Sequence, residues 1–135
     1  MGSTNVATTR AATATAFRDA RILRDATDRK GRYDAAKLTR ILDWTISDIS
    51  QYLGRDASTI SRFGASPVHQ EKLAALASLT QEVFEIMRED LRATRAWFRT
   101  PLRTLDGNSP QQLILSGNFH RVSSLIEESR NGLAS

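Results

Sequence analysis

Apolar residues recur along this chain at steps of three and four, and nowhere do they alternate over a sustained run. That spacing gives each of a series of helices one apolar face, so the expected fold class is all-α. Met1 to Thr15 is rich in Thr and Ala without apolar periodicity and reads as a flexible tail. A short helix is expected from Ala16 to Arg24, with Phe17, Ala20 and Leu23 on one side. Asp28–Arg32 is a polar break containing Gly31. Asp34 then stands as an N-cap for a helix that turns Leu38, Ile41 and Leu42 inward and closes near Trp44.

From Thr45 to Gly64 the pattern predicts two short helices around a tight turn. Thr45 with Asp48 three residues on has the form of a capping box. Ile46, Ile49 and Leu53 follow at helical spacing, Ser50 leaves room for a close crossing, and Gly54 supplies a left-handed helix end. Asp56 caps the next helix, whose inward residues are expected to be Ile60 and Phe63. This is the spacing of a helix-turn-helix, and it leaves Ala57, Ser58, Thr59, Ser61 and Arg62 outward. Short hydroxyls and an Arg suit base edges and phosphates, so these five, with Thr45 and Arg55, are the candidate DNA contacts. A plain helical hairpin with a polar outer face accounts for the same pattern.

Gly64 to Pro67 is a boundary, because Gly and Pro together stop a helix. Beyond it, Val68 to about Phe98 reads as one long helix with an apolar stripe of Leu73, Leu76, Leu79, Val83, Ile86, Met87 and Leu91, a candidate dimer seam. Arg88, Arg92, Arg95 and Arg99 line one face, with Glu85 and Glu89 spaced to pair with Arg88 and Arg92. That face is either a solvated surface or a dock for an acidic partner.

Pro101 ends the long helix just past Trp97 and Phe98. Asp106-Gly107 is a turn, and Ser109-Pro110 is an N-cap with proline in the first helical position. A two-turn helix bearing Leu113 and Ile114 stops at Gly117. Asn118 then caps a last helix with Phe119, Val122, Leu125 and Ile126 inward, ending at Asn131-Gly132. Trp97 is expected to be buried between this unit and the long helix. The predicted organisation is a tail and short helix over 1–33, a helix-turn-helix region over 34–66, and a long helix with a small C-terminal module over 67–135.

Composition narrows the function. The 135 residues are 40% hydrophobic and 25% charged, as in ordinary globular proteins. No apolar run approaches the roughly 20 residues that span a bilayer, so no membrane association is expected and the cytoplasm is the natural setting. With no cysteine, disulfides, thiolate metal sites and Cys nucleophiles are excluded. The two histidines lie far apart in the sequence, no phosphate-binding glycine loop occurs, and no serine stands in a nucleophile motif. No catalytic residue, metal or cofactor is therefore expected. The net charge of +4 lies wholly in residues 1–66, where eleven Lys and Arg face seven Asp and Glu. A basic half beside a neutral half suggests two surfaces with different partners, the first an anion such as nucleic acid.

Trp97, Pro101, Leu105, Gly107, Pro110, Leu113, Ile114, Gly117, Arg121, Val122, Leu125, Ile126 and Gly132 carry a more specific signal. Over Trp97 to Ser135 the chain resembles the toxin-binding module of Xre/MbcA/ParS-type antitoxins, which also carry a helix-turn-helix upstream. The resemblance implies a protein partner: a toxin of RES type, similar in fold to ADP-ribosyltransferases, that consumes NAD or modifies protein with it. It implies a C-terminal module that caps the toxin's NAD pocket and an N-terminal half that binds the operon's own promoter. A homodimer and a toxin–antitoxin hetero-oligomer are the expected assemblies. The implied toxin contacts are Arg99, Arg103, Ser116, Asn118, His120, Arg121, Arg130, Asn131, Gly132 and Leu133. A stand-alone helix-turn-helix regulator with a C-terminal dimerisation or sensing domain is the competing reading.

Overall fold

The computed structural model describes residues 20–134, and for Leu133 and Ala134 the backbone alone. The expected N-terminal tail, the Ala16–Asp19 start of the first helix with Phe17, and Ser135 lie outside the described residues. Among those described, all regular structure is helical apart from two isolated bridges, Thr27 with Tyr33 and Leu102 with Asn108. The all-α expectation holds.

The helices are α1 Arg21–Asp25, α2 Ala35–Leu42, α3 Ile46–Leu53, α4 Ala57–Phe63, α5 Gln70–Ile86, α6 Leu91–Arg99, α7 Pro110–Leu115 and α8 Phe119–Ala134. Their starts follow from capping chemistry. Asp34 accepts from Ala36 N, Asp56 from Thr59 N and Asp90 from Ala93 N, each relieving an orphan donor of a first turn. Thr45 and Asp48 form a reciprocal capping box, and so do Ser109 and Gln112. Gly54, at φ 71°, ends α3 in the left-handed conformation that its missing Cβ permits.

α5 is the axis of the molecule, with α1, α2, α6 and α8 against it. Leu73, Leu76, Ala77, Val83 and Phe84 of α5 are all buried. The backbone N–H of Ile22 donates to Oε1 of the buried Gln81 side chain at 2.8 Å and fixes α1 to this axis. α2, α3 and α4 pack around Leu38, Leu42, Ile49 and Ile60, each fully buried and contributing about 1.5–3 kcal/mol. α7 lies against both α3 and α6, and α8 closes over α7 and α5. The two halves of the chain therefore share one continuous core.

Five expectations are corrected. The single long helix from Val68 to Phe98 is three pieces: a 3-10 turn at Pro67–His69, then α5, then α6. The corner between α5 and α6 is imposed by tertiary contacts, because Arg95 and Arg99 of α6 reach across to the C-terminal end of α2. Arg95 donates to the carbonyls of Ile41 (2.8 Å) and Arg40 (3.0 Å), and Arg99 to that of Asp43 (2.7 Å). Two cations on three carbonyl dipoles at a helix C-terminal end is a favourable arrangement. The Arg face is consequently no row of local ion pairs: Glu85 turns instead to Arg130 and Gln81.

Phe63 points outward with 58% of its surface exposed. The inner side of that end of α4 is filled by backbone, for the Gly64 carbonyl accepts from Ala35 N, and a Cβ on Gly64 would lie 3.0 Å from the Ile60 carbonyl oxygen. Trp97 is half-buried, whereas its neighbour Phe98 is fully buried between Trp44 and Trp97 in edge-to-face contacts of 6.1 and 5.1 Å. Finally, α8 continues through Asn131 and Gly132 to Ala134.

Candidate partner-binding surfaces

The N-terminal surface is the outer side of α3 and α4. Arg55, Ala57, Ser58, Ser61 and Arg62 are exposed and Thr59 is half-buried. Two of the hydroxyls have local duties: Thr45 caps α3, and Ser58 donates to the Asp56 carboxylate at 2.9 Å. Asp56 is held below the usual carboxylate range, chiefly by the backbone N–H of Thr59 and then by side-chain hydrogen bonds from Thr59 and Ser58. A fixed negative charge thus sits at the N-terminus of α4 beside Arg55, with Arg62 in the last turn. Thr59 shares the duty of Ser58, so the groups left to meet a partner are Arg55 just before α4 and Ser61 and Arg62 on it, a helix about 10 Å long. A segment of that length fits across a major groove roughly 12 Å wide.

The C-terminal candidates fall into three places. Ser116, Asn118, His120 and Arg121 come together where α7 turns into α8. There Asn118 Nδ2 donates to Ser116 Oγ at 3.1 Å, and Gly117 takes φ 89° to make the bend. Arg121 donates to the Thr104 carbonyl at 3.0 Å and pairs with Asp106 at 3.4 Å, so the Arg103–Gly107 turn is tied to the start of α8. Arg103 rides on that turn, exposed. These residues make one polar edge.

Arg130 and Asn131 lie near the other end of α8, about 14 Å from Arg121 at 1.5 Å per residue. Arg130 pairs with Glu85 at 3.4 Å and Glu82 at 3.9 Å, so it is laid onto α5. Gly132 follows in the same helix, exposed; the Leu133 side chain is outside the description. Arg99 belongs to neither group. Its guanidinium is 2.9 Å from the Asp43 carboxylate, which it holds below the usual range by hydrogen bond and charge. Arg99 joins α6 to the α2–α3 connection.

Two grooves flank α8. One, of about 280 Å³, is walled by Met87, Trp97, Leu102 and Leu125. The other, of about 650 Å³, lies between the end of α3, the start of α5 and the α7–α8 bend, with Tyr52, Lys72 and Phe119 on its walls. No family model matches this sequence, and no curated protein matches it. Among solved structures, a chain in the crystal structure of the M. tuberculosis MbcT-MbcA toxin-antitoxin complex is similar, with a TM-score of 0.55. The two chains are 20% identical, over 72% of this chain and 90% of that one. This protein has the fold of a component of that complex. The structural neighbour and the Trp97–Ser135 resemblance, which is carried by sequence alone, name the same kind of system.

Sequence reasoning missed the residues that join the halves. Gln51 donates to the Leu115 carbonyl at 3.0 Å and Gln111 to Asp48 at 3.3 Å, tying α3 to α7. Arg95 stands in the sequence within a row that is either solvated or a dock for an acidic partner, not as a link to α2. A glutamine at the surface carries no periodic signal, so only the packed structure reveals these bridges. Among the described residues no group of three or more His, Asp or Glu side chains is disposed to hold a metal, and no helix is long and apolar enough to cross a membrane.

Proposed function

We propose that this protein is the antitoxin of a toxin–antitoxin pair, binding a RES-type toxin through its C-terminal half and operator DNA through α3 and α4. The observation that carries the reading is the fold shared with a chain of a toxin–antitoxin complex across 72% of the sequence. It is joined by the thirteen matched residues from Trp97 to Gly132. The proposed toxin surface runs along the exposed side of α8, from the polar edge of Arg103, Ser116, Asn118, His120 and Arg121 to Arg130, Asn131, Gly132 and Leu133. Arg guanidinium groups offer planar, paired donors to carboxylates of a nucleotide pocket. α8 is anchored on its inner side by the buried Val122 and Ile126, so its outer groups are presented with little ordering cost.

The proposed DNA surface is the α4 side of the basic half, with the protein acting as a dimer on an inverted repeat and repressing its own operon. The protein blocks the toxin's active site and performs no reaction of its own. The test is co-expression with the toxin encoded beside it, following growth and cellular NAD, for the intact chain and for one lacking residues 130–135. Rescue by the intact chain supports the reading. Loss of protection on truncation, with promoter binding kept, places the inhibitory contact at the end of α8, and full protection moves it to the Arg99–Gly117 loops. Failure of the intact chain to bind or neutralise the toxin overturns it.

A further inference from the structure

Between α5 and α6 the chain turns through two consecutive non-glycine residues in the left-handed region, Arg88 at φ 58° and Glu89 at φ 61°. L side chains are disfavoured there, and when they visit it they do so singly. Nothing in the local sequence requires the turn. Residues 70–99 contain neither glycine nor proline, and Met87-Arg88-Glu89 are good helix formers. The inward-facing positions also pass through the corner in phase: Val83, Met87, Leu91, Thr94 and Phe98 stand at steps of four, four, three and four.

The corner is held from outside. Glu89 N donates to the Phe84 carbonyl at 2.8 Å to close α5, and Asp90 restarts the chain as the N-cap of α6. The contacts that fix α6–α8 beyond these are made to α2, α3 and α5, all N-terminal to the corner. They include Phe98 on Trp44, Arg95 on the end of α2, Gln111 on Asp48 and Arg130 on Glu85. A second copy of this chain presents the same sites.

We propose that the α5–α6 corner is a hinge through which α6–α8 exchange between two copies of the chain. In the exchanged dimer, α5 and α6 merge into one helix of about 30 residues, roughly 45 Å long. Each copy's α6–α8 then packs on the α2, α3 and α5 of its partner. Every contact of the closed form is remade between chains, and the hinge alone changes, trading two left-handed residues for helical hydrogen bonds. The gain at the hinge works against the entropy of association, so the exchange depends on concentration. The proposal stands independently of the antitoxin reading.

The absence of cysteine makes the test clean. One preparation carries Glu85→Cys and another Arg130→Cys; they are mixed, incubated at rising concentration and treated with a short bis-maleimide. The expected result is a cross-link between chains that increases with concentration and rises several-fold when both chains carry Asp90→Ala, which removes the cap that restarts α6. Leu91→Pro should abolish it. Proline is tolerated at the first position of α6, and Asp90 before it is already extended at φ −95° and ψ 106°, but the merged helix has no place for it. Glu89→Gly, which takes the left-handed turn freely, should lower the product several-fold and decides the matter should the proline variant not fold. A single chain bearing both cysteines should cross-link internally in every folded variant. Internal cross-linking without any product between chains in Asp90→Ala overturns the proposal. So does a product between chains that is unchanged in Leu91→Pro or, where that variant does not fold, in Glu89→Gly.

Discussion

Replacing Phe98 by alanine removes the ring on which the two halves of the chain meet. The side chain is fully buried, and it meets Trp44 and Trp97 edge to face with interplanar angles of 87° and 84°. Phe→Ala in a core costs about 3–5 kcal/mol. Each aromatic contact adds about 0.5–1.5 kcal/mol beyond its area, which puts this site toward the upper end. Trp97 makes the contrast. About two-thirds of a Trp surface is about 130 Å², worth about 3 kcal/mol at roughly 25 cal/mol per Å². For an ordered domain of this size each kcal/mol moves the Tm by about 3–5 °C. Phe98→Ala should therefore lower the Tm by about 12–20 °C and Trp97→Ala by about 9–15 °C, read by thermal unfolding and checked by urea titration. A Trp97→Ala protein less stable than Phe98→Ala would refute the reasoning and return Trp97 to the centre of the core.

Three further predictions follow from the described contacts. Arg95→Ala should cost about 1–2 kcal/mol in urea unfolding, because two charge-assisted hydrogen bonds to α2 carbonyls are lost; Arg95→Lys should recover less than half, as an ammonium cannot span both. Arg62→Ala should weaken binding to the protein's own promoter by about 1–3 kcal/mol in a gel-shift titration, with the Tm unchanged, and equal affinities would remove Arg62 from the DNA surface. The His69 imidazole is held below its usual pKa, first by burial and then by the charge of Arg55. The unfolded chain then binds the extra proton, so this contribution is whole above the unfolded value of about 6.5 and falls away as pH drops below it. His69→Gln should flatten the stability profile between pH 7 and 5 and leave the carboxylate-driven loss below about pH 4.

Local chemistry made much of this fold legible. Asp34, Thr45, Asp56 and Ser109 are caps in the structure as their positions imply, and Gly54 and Gly107 take the left-handed conformations that their turns need. Each of these depends on residues no more than four apart. What could not be read is what depends on distant partners. The break at Arg88-Glu89 occurs inside an unbroken helical pattern, because α6 is drawn onto the end of α2, more than 50 residues away. The outward turn of Phe63 follows from the backbone that fills the space beside it, and Phe98 rather than Trp97 is the ring that meets the distant Trp44. The candidate surfaces divide the same way. The exposed face of α4 was evident from periodicity, whereas the fixing of Arg99 to Asp43 and of Arg130 to α5 was not.

The most direct test of the antitoxin reading is titration of this protein into the purified RES-type toxin proposed as its partner, with NAD consumption as the readout. The account predicts that NAD loss stops at a fixed molar ratio of the two chains, and that Phe98→Ala fails to protect once it is unfolded. NAD consumption that continues undiminished in a saturating excess of the folded protein would contradict it.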